Sequence, residues 1–344
     1  MPNPLTERQR KVLKIIVESY AGTVEPVGSK TIAGRFSSDV SPATVRHEMA
    51  ELEKLGLITH LHTSAGRLPT DAGYRYYVDS IMPNKTVEAT EAALVAWEFR
   101  QQAKSMEDLL ERTSRILSSL TEQAGWIVYP NFKELILKRI ELIPYGRSHL
   151  MVVYATSAGF IHSQMVDMQE AIEIEELQKL NHFINAELTG KSLDAMAAYL
   201  EHQLQNVRDS AGRFHKTALA IARHVFEREA ERRIVLDGSR YVLRQPEFRD
   251  ARKTKQLCRL LESKESLRET LPSTTEQKIY VKIGRENAAQ EIWDCSLITS
   301  EYHAGSQTLG TLGILGPRRM AYARVVAVVD YVARRLSNAI EELI

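Results

Sequence analysis

The stretch Ser41-Pro42-Ala43-Thr44-Val45-Arg46-His47-Glu48-Met49-Ala50-Glu51-Leu52-Glu53-Lys54-Leu55-Gly56, followed by Leu57-Ile58-Thr59-His60-Leu61-His62-Thr63-Ser64-Ala65-Gly66-Arg67-Leu68-Pro69-Thr70, decides how the amino-terminal region folds. Ser41 offers a side-chain acceptor to cap a helix, Pro42 suits the first helical position, and Gly56 stops the run, so a helix over 42–55 is predicted. At the helical period Val45, Met49 and Leu52 fall inward, leaving Ala43, His47, Ala50 and Lys54 outward, flanked by Thr44, Arg46 and Glu51. Small side chains at 43 and 50 let the helix axis approach a groove floor while Arg46 and His47 reach base edges or phosphates. Taken alone, 42–55 is equally an ordinary amphipathic helix. The following segment shifts the reading: 57–61 has a strand pattern, Ser64-Ala65-Gly66 a turn, and Arg67 starts the return. Thr70 or Asp71 then caps a helix carrying Tyr74, Arg75, Tyr76 and Tyr77. This order describes a winged helix-turn-helix unit, whose second helix presents its amino end to base edges while a basic hairpin holds the neighbouring phosphates or groove.

Upstream, Thr6 and Gln9 form a capping-box pattern, and Val12, Ile15, Ile16 and Ser19 share one face of a scaffold helix running to about Tyr20. The loop Glu25-Pro26-Val27-Gly28-Ser29 breaks it, and Ser29 is expected to cap a short helix through about Phe36. The candidate DNA-facing residues are Lys30, Arg35, Ser41, Ala43, Thr44, Arg46, His47, Lys54, His62, Thr63, Ser64, Arg67, Thr70 and Arg75. His60 and His62 alternate on a strand, a spacing open to a metal, but no third ligand stands nearby and none is expected.

With 344 residues, 44% of them hydrophobic and 26% charged, the chain is long enough for two or three domains with real cores. A net charge of +1 means that any nucleic-acid affinity comes from where charges sit. Residues 1–75 hold ten Lys/Arg against eight Asp/Glu. Residues 203–270 hold sixteen against ten, spaced as on a solvated helix face. The polar start lacks a signal core, and no apolar run approaches the roughly 18 residues of a membrane helix, so a cytoplasmic protein without a membrane partner is expected. Cys258 and Cys295 are isolated and read as reduced thiols. No nucleophile elbow, His-Glu metal helix, Rossmann glycine set or arguable carboxylate pair is found, so the expectation is a regulator without cofactor rather than an enzyme.

The head ends at Pro83-Asn84-Lys85, giving a first unit of 1–82. Leu94, Trp97, Met106, Leu109, Leu110, Thr113, Ile116, Leu117 and Leu120 then mark amphipathic helices to about Gln123, which either pack on the next domain or pair with a partner chain. Strand patterns occupy 135–143, 149–155 and 159–166, resume at 278–283, 296–302 and 311–316, and precede a closing helix from Met320 through Leu336. The stretch between them is mostly helical. The expectation is an α+β chain in which 83–168 and 271–344 build one antiparallel sheet and 169–270 is inserted into it. Gly310 to Pro317 invites a phosphate-loop reading, but Gly316 is followed by Pro317-Arg318-Arg319 where such a loop needs Lys-Ser/Thr. The glycines instead allow a bent or closely packed strand, with Pro317 expected to start the last helix.

The chain resembles the heat-inducible transcription repressors called HrcA. The resemblance rests on Glu25-Pro26-Val27-Gly28-Ser29-Lys30, Ser41-Pro42-Ala43-Thr44-Val45-Arg46, His62-Thr63-Ser64-Ala65-Gly66-Arg67 with Pro69-Thr70, and Gly73-Tyr74-Arg75-Tyr76-Tyr77-Val78-Asp79. It continues at Gly284-Arg285-Glu286-Asn287 and at Gly310-Thr311-Leu312-Gly313-Ile314-Leu315-Gly316-Pro317 with Arg319-Met320 and Tyr322. His47 stands where the family usually has Asn, and Leu61 where it usually has Pro, so operator reading at position 47 is open. The resemblance implies a winged-helix domain, a GAF-like antiparallel sheet domain and an inserted helix-rich dimerisation domain. It further implies a homodimer on an inverted-repeat operator of double-stranded DNA, repression of heat-shock chaperone operons of the groE and dnaK type, loss of repression on heating, and the GroE chaperonin as a partner. The alternative is a winged-helix regulator whose GAF-like domain senses a small molecule.

Overall fold

The computed structural model describes residues 5–36, 40–60, 66–101, 103, 105–131, 134–146, 149–168, 173–206, 216–221, 233–272 and 278–343. Helix α1, Glu7–Thr23, begins with the expected capping box: the Gln9 amide donates to Thr6 Oγ1 at 3.2 Å and the Thr6 amide to Gln9 Oε1 at 3.0 Å. Val12, Ile15, Ile16 and Ser19 are buried as their spacing predicts. The helix continues past Tyr20 and stops where Val24 turns left-handed, φ 62°. Helix α2, Ser29–Ala33, is shorter than expected, because Gly28 takes the cap position, Ser29 is already helical, and Gly34 follows the last turn. Helix α3, Pro42–Lys54, has Ser41 Oγ accepting from the Thr44 amide at 3.1 Å. Strands β1 (Ile58–Thr59) and β2 (Leu68–Pro69) pair antiparallel, and Thr70 caps helix α4, Asp71–Ser80, by accepting from the Gly73 amide at 3.1 Å.

Helices α5 (Ala89–Arg100) and α6 (Met106–Thr121) lead into the body. Glu122, with φ 53°, ends α6 and the chain enters strand β3, Ala124–Val128. Strands β4 (Leu137–Tyr145), β5 (His149–Thr156) and β6 (Ile161–Asp167) are followed by helices α7 (Ile174–Leu188) and α8 (Leu193–Asn206). After strand β7 (Ile234–Asp237) come helices Ser239–Leu243, Ala251–Glu262 and Lys264–Thr270. Strands β8 (Ile279–Ile283), β9 (Cys295–Ala304) and β10 (Gln307–Pro317) precede the closing helix, Tyr322–Leu343.

The single sheet expected from the sequence is in fact two. A five-stranded antiparallel sheet runs β7-β3-β10-β9-β8, and β4-β5-β6 form a separate three-stranded sheet. Alternation marks a strand but not its partner, and β3 and β7 were not expected at all. With β3 beside β7 in the sheet, the chain leaves the large sheet after β3 and rejoins it only at β7. The large sheet is a middle layer. Ile127, Ile298, Leu312 and Ile314 pack with Leu117 of α6 and Val325, Val329 and Leu336 of the closing helix, whereas Trp126, Val128, Leu297 and Leu315 pack with Val242, Phe248, Leu257 and Leu260. Burial on that second side pushes the Cys295 thiol upward, away from reactivity.

Two details of β10 depart from or confirm the sequence reading. Pro317 does not start the last helix: it is the final strand residue, opposite Cys295, and the helix starts at Tyr322. Gly313 does serve close packing, since a Cβ there would stand 2.1 Å from the Ile298 carbonyl oxygen and 2.8 Å from the Trp126 ring. In the small sheet, Asn185 of α7 secures β4 at both backbone groups, its Oδ1 accepting from the Ile140 amide at 3.1 Å and its Nδ2 donating to the Ile140 carbonyl at 2.6 Å.

Candidate nucleic-acid interface

Helix α3 carries the site because its two sides have different obligations. Val45 and Leu52 are fully buried and Met49 nearly so, against the core that α1 and α2 supply. Glu48 is also turned inward, where Arg8 Nη1 of α1 meets its carboxylate at 3.4 Å. The opposite side presents Ala43, Arg46, His47, Ala50 and Lys54 to solvent. Ser41 and Thr44 share a hydroxyl hydrogen bond of 3.0 Å, so both shape the start of the helix. The first-turn amides of a helix point outward and its dipole favours an anion there, which suits a phosphate beside the groove. Arg46 and His47, one turn further on, have the length to reach base edges.

Electrostatics trim this stripe. Lys54 Nζ lies 2.8 Å from Glu51 Oε1, and this bond, followed by the charge of Lys54, holds the Glu51 carboxyl below the usual carboxylate range. Lys54 is thus partly neutralised, whereas Lys30 and Arg35 are exposed around α2. Thr70, besides capping α4, donates its hydroxyl to the Gly56 carbonyl at 2.6 Å and ties the return strand to the end of α3.

The wing is secured at its root. Arg67 exchanges backbone hydrogen bonds with Val27, 2.8 and 2.9 Å, adding the α1–α2 loop to the hairpin. Gly66 is needed for that approach, because a Cβ would come within 2.6 Å of the Pro26 and Val27 backbone. The Arg67 guanidinium reaches Glu53 Oε2 at 2.9 Å, and His60 Nδ1 meets Glu53 Oε1. Burial alone would raise the Glu53 carboxyl; the bonds from His60 and Arg67 and the Arg67 charge outweigh it and hold the group below its ordinary value. Glu53 therefore orients His60 and Arg67 at the root of the wing. Sequence reading missed it, because separations of seven and fourteen residues across a turn carry no local signal. The predicted contacts His62, Thr63 and Ser64 lie outside the described residues.

Arg75, expected on the same surface, is placed elsewhere. Its guanidinium pairs with Glu286 of the body and with Asp79 at 3.0 Å. Among the described residues no cluster of three or more His, Cys, Asp or Glu could hold a metal ion, and no helix is long and apolar enough to cross a membrane.

The chain is similar to known proteins along its whole length. Residues 4–79 match the family described as "Winged helix-turn-helix transcription repressor, HrcA DNA-binding", and residues 107–326 match "HrcA protein C terminal domain". The heat-inducible transcription repressor HrcA of Desulforamulus reducens is 35% identical over 345 residues, covering 99% of this chain and 98% of that protein. The protein of the same name from Symbiobacterium thermophilum is 34% identical over 339 residues, covering 97% of this chain and 98% of the other. A crystal structure of a hypothetical protein, solved at 2.2 Å, superposes with a TM-score of 0.66 at 24% identity, covering 99% of this chain and 100% of that one, and so shares the fold.

Proposed function

This chain belongs to the HrcA family of heat-inducible transcription repressors, and from that premise we propose that it binds an inverted-repeat operator as a homodimer in the cytoplasm. Bound there, it represses heat-shock chaperone operons of the groE and dnaK type and loses its hold on heating. The observation that carries this reading is the exposed stripe of α3, with Arg46 and His47 beyond the capped amino end and a wing root locked beside it. Lys30, Arg35, Ser41, Ala43, Thr44 and Lys54 line or shape the same surface, and His62, Thr63, Ser64, Arg67 and Thr70 belong to the wing. Two heads related by a two-fold axis hold two half-sites where one head holds half the contacts.

The three-stranded sheet β4-β5-β6, which lies before the 169–270 segment expected to be inserted, supplies the dimer contact. Ile143, Tyr145, Ile161 and Met165 share the exposed face of the three-stranded sheet, with Tyr145 and Ile161 64% and 69% exposed. Four large apolar side chains on one sheet face favour burial against a second copy. GroE as a partner follows from family resemblance alone. Hydroxyl-radical footprinting of the full chain on the chaperone promoters of its own organism tests the proposal. Two protected half-sites on one face of the duplex are expected, and absence of protection there rejects it.

A further inference from the structure

The head is fastened to the body at residues far from the linker. Asp71, at the start of α4, accepts from Arg318 Nη1 at 2.8 Å and from the Arg285 amide at 3.1 Å. Arg318 also reaches Asp294 at 3.0 Å, which holds Lys253 at 2.6 Å, so the Asp71 contact extends into a chain of alternating charges. One turn along α4, Arg75 joins Glu286, and the Glu286 carboxylate also accepts from the Ile283 amide at 2.8 Å, which fixes it to the end of β8. A third attachment comes from Arg319, which donates to the Ala21 carbonyl of α1 at 3.2 Å while Glu247 and Gln245 hold its other nitrogens.

Packing between these points leaves no slack. Tyr74 and Tyr322 are buried with ring centroids 5.8 Å apart, and the Tyr322 hydroxyl meets Ser296 Oγ at 2.8 Å. Gly284 adopts φ 54°, and a Cβ there would stand 2.2 Å from the Asp71 carboxylate, so backbone and carboxylate are in direct contact. Gly284, Glu286, Arg319 and Tyr322 all lie in the two distant sequence motifs that the DNA-binding surface did not absorb.

We propose that this junction is a positioning clasp: Asp71, Glu286 and Arg318 fix the orientation of the head, and with it α3, on the body, and so select the half-site spacing that a dimer can hold with both heads at once. The proposal rests on the DNA-binding and dimer reading above. Attachment at three separated points, two on α4 and one at the end of α1, removes the rotations that a single point would leave. The second head of a dimer then meets its half-site at a high effective concentration only when the spacing matches the fixed angle. A loosened clasp leaves the contacts of each head intact but dilutes the second binding event.

The test is the variant pair Glu286→Gln with Arg318→Gln in the full chain, two residues outside the DNA surface. Binding is measured to a single half-site duplex, to the full inverted repeat, and to repeats whose half-sites are moved apart or together by a few base pairs. Half-site affinity is expected to stay within about twofold of the unaltered protein, affinity for the full repeat to fall about tenfold, and the preference among spacings to flatten. Unchanged binding to every duplex overturns the clasp. So does an equal loss on half-site and full repeat, which marks a damaged head rather than a misplaced one. Glu286→Gln alone carries the same comparison if the pair folds poorly. If the unaltered chain discriminates no sequence, the DNA reading itself fails and takes the clasp with it, whereas a discriminating chain with insensitive variants sinks the clasp only.

Discussion

Arg46 and His47 differ from Ser41 and Thr44 in what their side chains are left to do, since the two hydroxyls are engaged at the helix start while the longer side chains stand exposed. Arg46→Ala is expected to weaken specific binding by roughly 1–3 kcal/mol if the guanidinium reads a guanine. If it holds phosphate, the loss falls evenly on all sequences and the salt dependence becomes shallower. Titrations of operator and random duplex at several salt concentrations separate these outcomes, and undiminished affinity for both removes Arg46 from the interface. Glu53 gives a pH prediction. Its carboxyl is depressed in the folded protein, so the ties to His60 and Arg67 contribute stability fully above its unfolded value of about 4.5 and lose it as pH falls through the lower folded value. Denaturant stability followed from neutral pH into acid should fall less steeply in Glu53→Gln than in the unaltered chain. Identical acid limbs would show that Glu53 is not held by these bonds. The exposed stripe was legible in the sequence because a helical wheel depends only on local spacing. Glu53 and the displacement of Arg75 to Glu286 were not, since each depends on partners brought together by the tertiary fold.

At the level of elements, strand patterns located β4, β5, β6, β8, β9 and β10 and missed β3 and β7. Strands β4, β5 and β6 alternate between buried and open positions and were expected within a few residues of where they occur. Strand β3 is buried at every position, between β10 and β7, and so carries no alternation to distinguish it from the end of the preceding helix. β7 is four residues long and sits in a stretch whose charges are spaced as on helices. Pairing in the wrong sheet has the same origin, because which strands join is decided by long-range packing. Close approach at Gly313 yields a direct test of the central sheet. Gly313→Ala forces a methyl against the Ile298 carbonyl and the Trp126 ring, and overpacking of this kind costs about 1–3 kcal/mol in urea unfolding. A neutral or stabilising result would mean that β9 and β3 yield more easily than the register implies.

For the whole molecule, the proposed heat response needs a contact whose balance is already close to even, so that a small change in temperature shifts it. The ionic contacts that hold head to body are poor candidates, since the cost of desolvating charges falls as temperature rises. The proposed dimer contact is the better one, because association through a modest apolar face would stand close to balance and marginal stability makes a shift possible without a ligand. Ile161→Glu, which places a charge on that face, should give monomers by light scattering at concentrations where the unaltered chain is dimeric. The same monomers should keep half-site affinity, and a variant that remains dimeric would move the interface elsewhere. Warming the unaltered chain through the heat-shock range should lower dimer fraction and operator affinity together, and constancy of both would reject this account of heat sensing. The central claim, that paired α3 stripes enter the grooves of one duplex, is tested most directly by selecting bound sequences from a random duplex library with the full chain and with Arg46→Ala/His47→Ala. The account predicts that the full chain enriches an inverted repeat of fixed spacing and that the double variant loses enrichment at the half-sites. An unenriched pool, or the same motif recovered by both proteins, would contradict it.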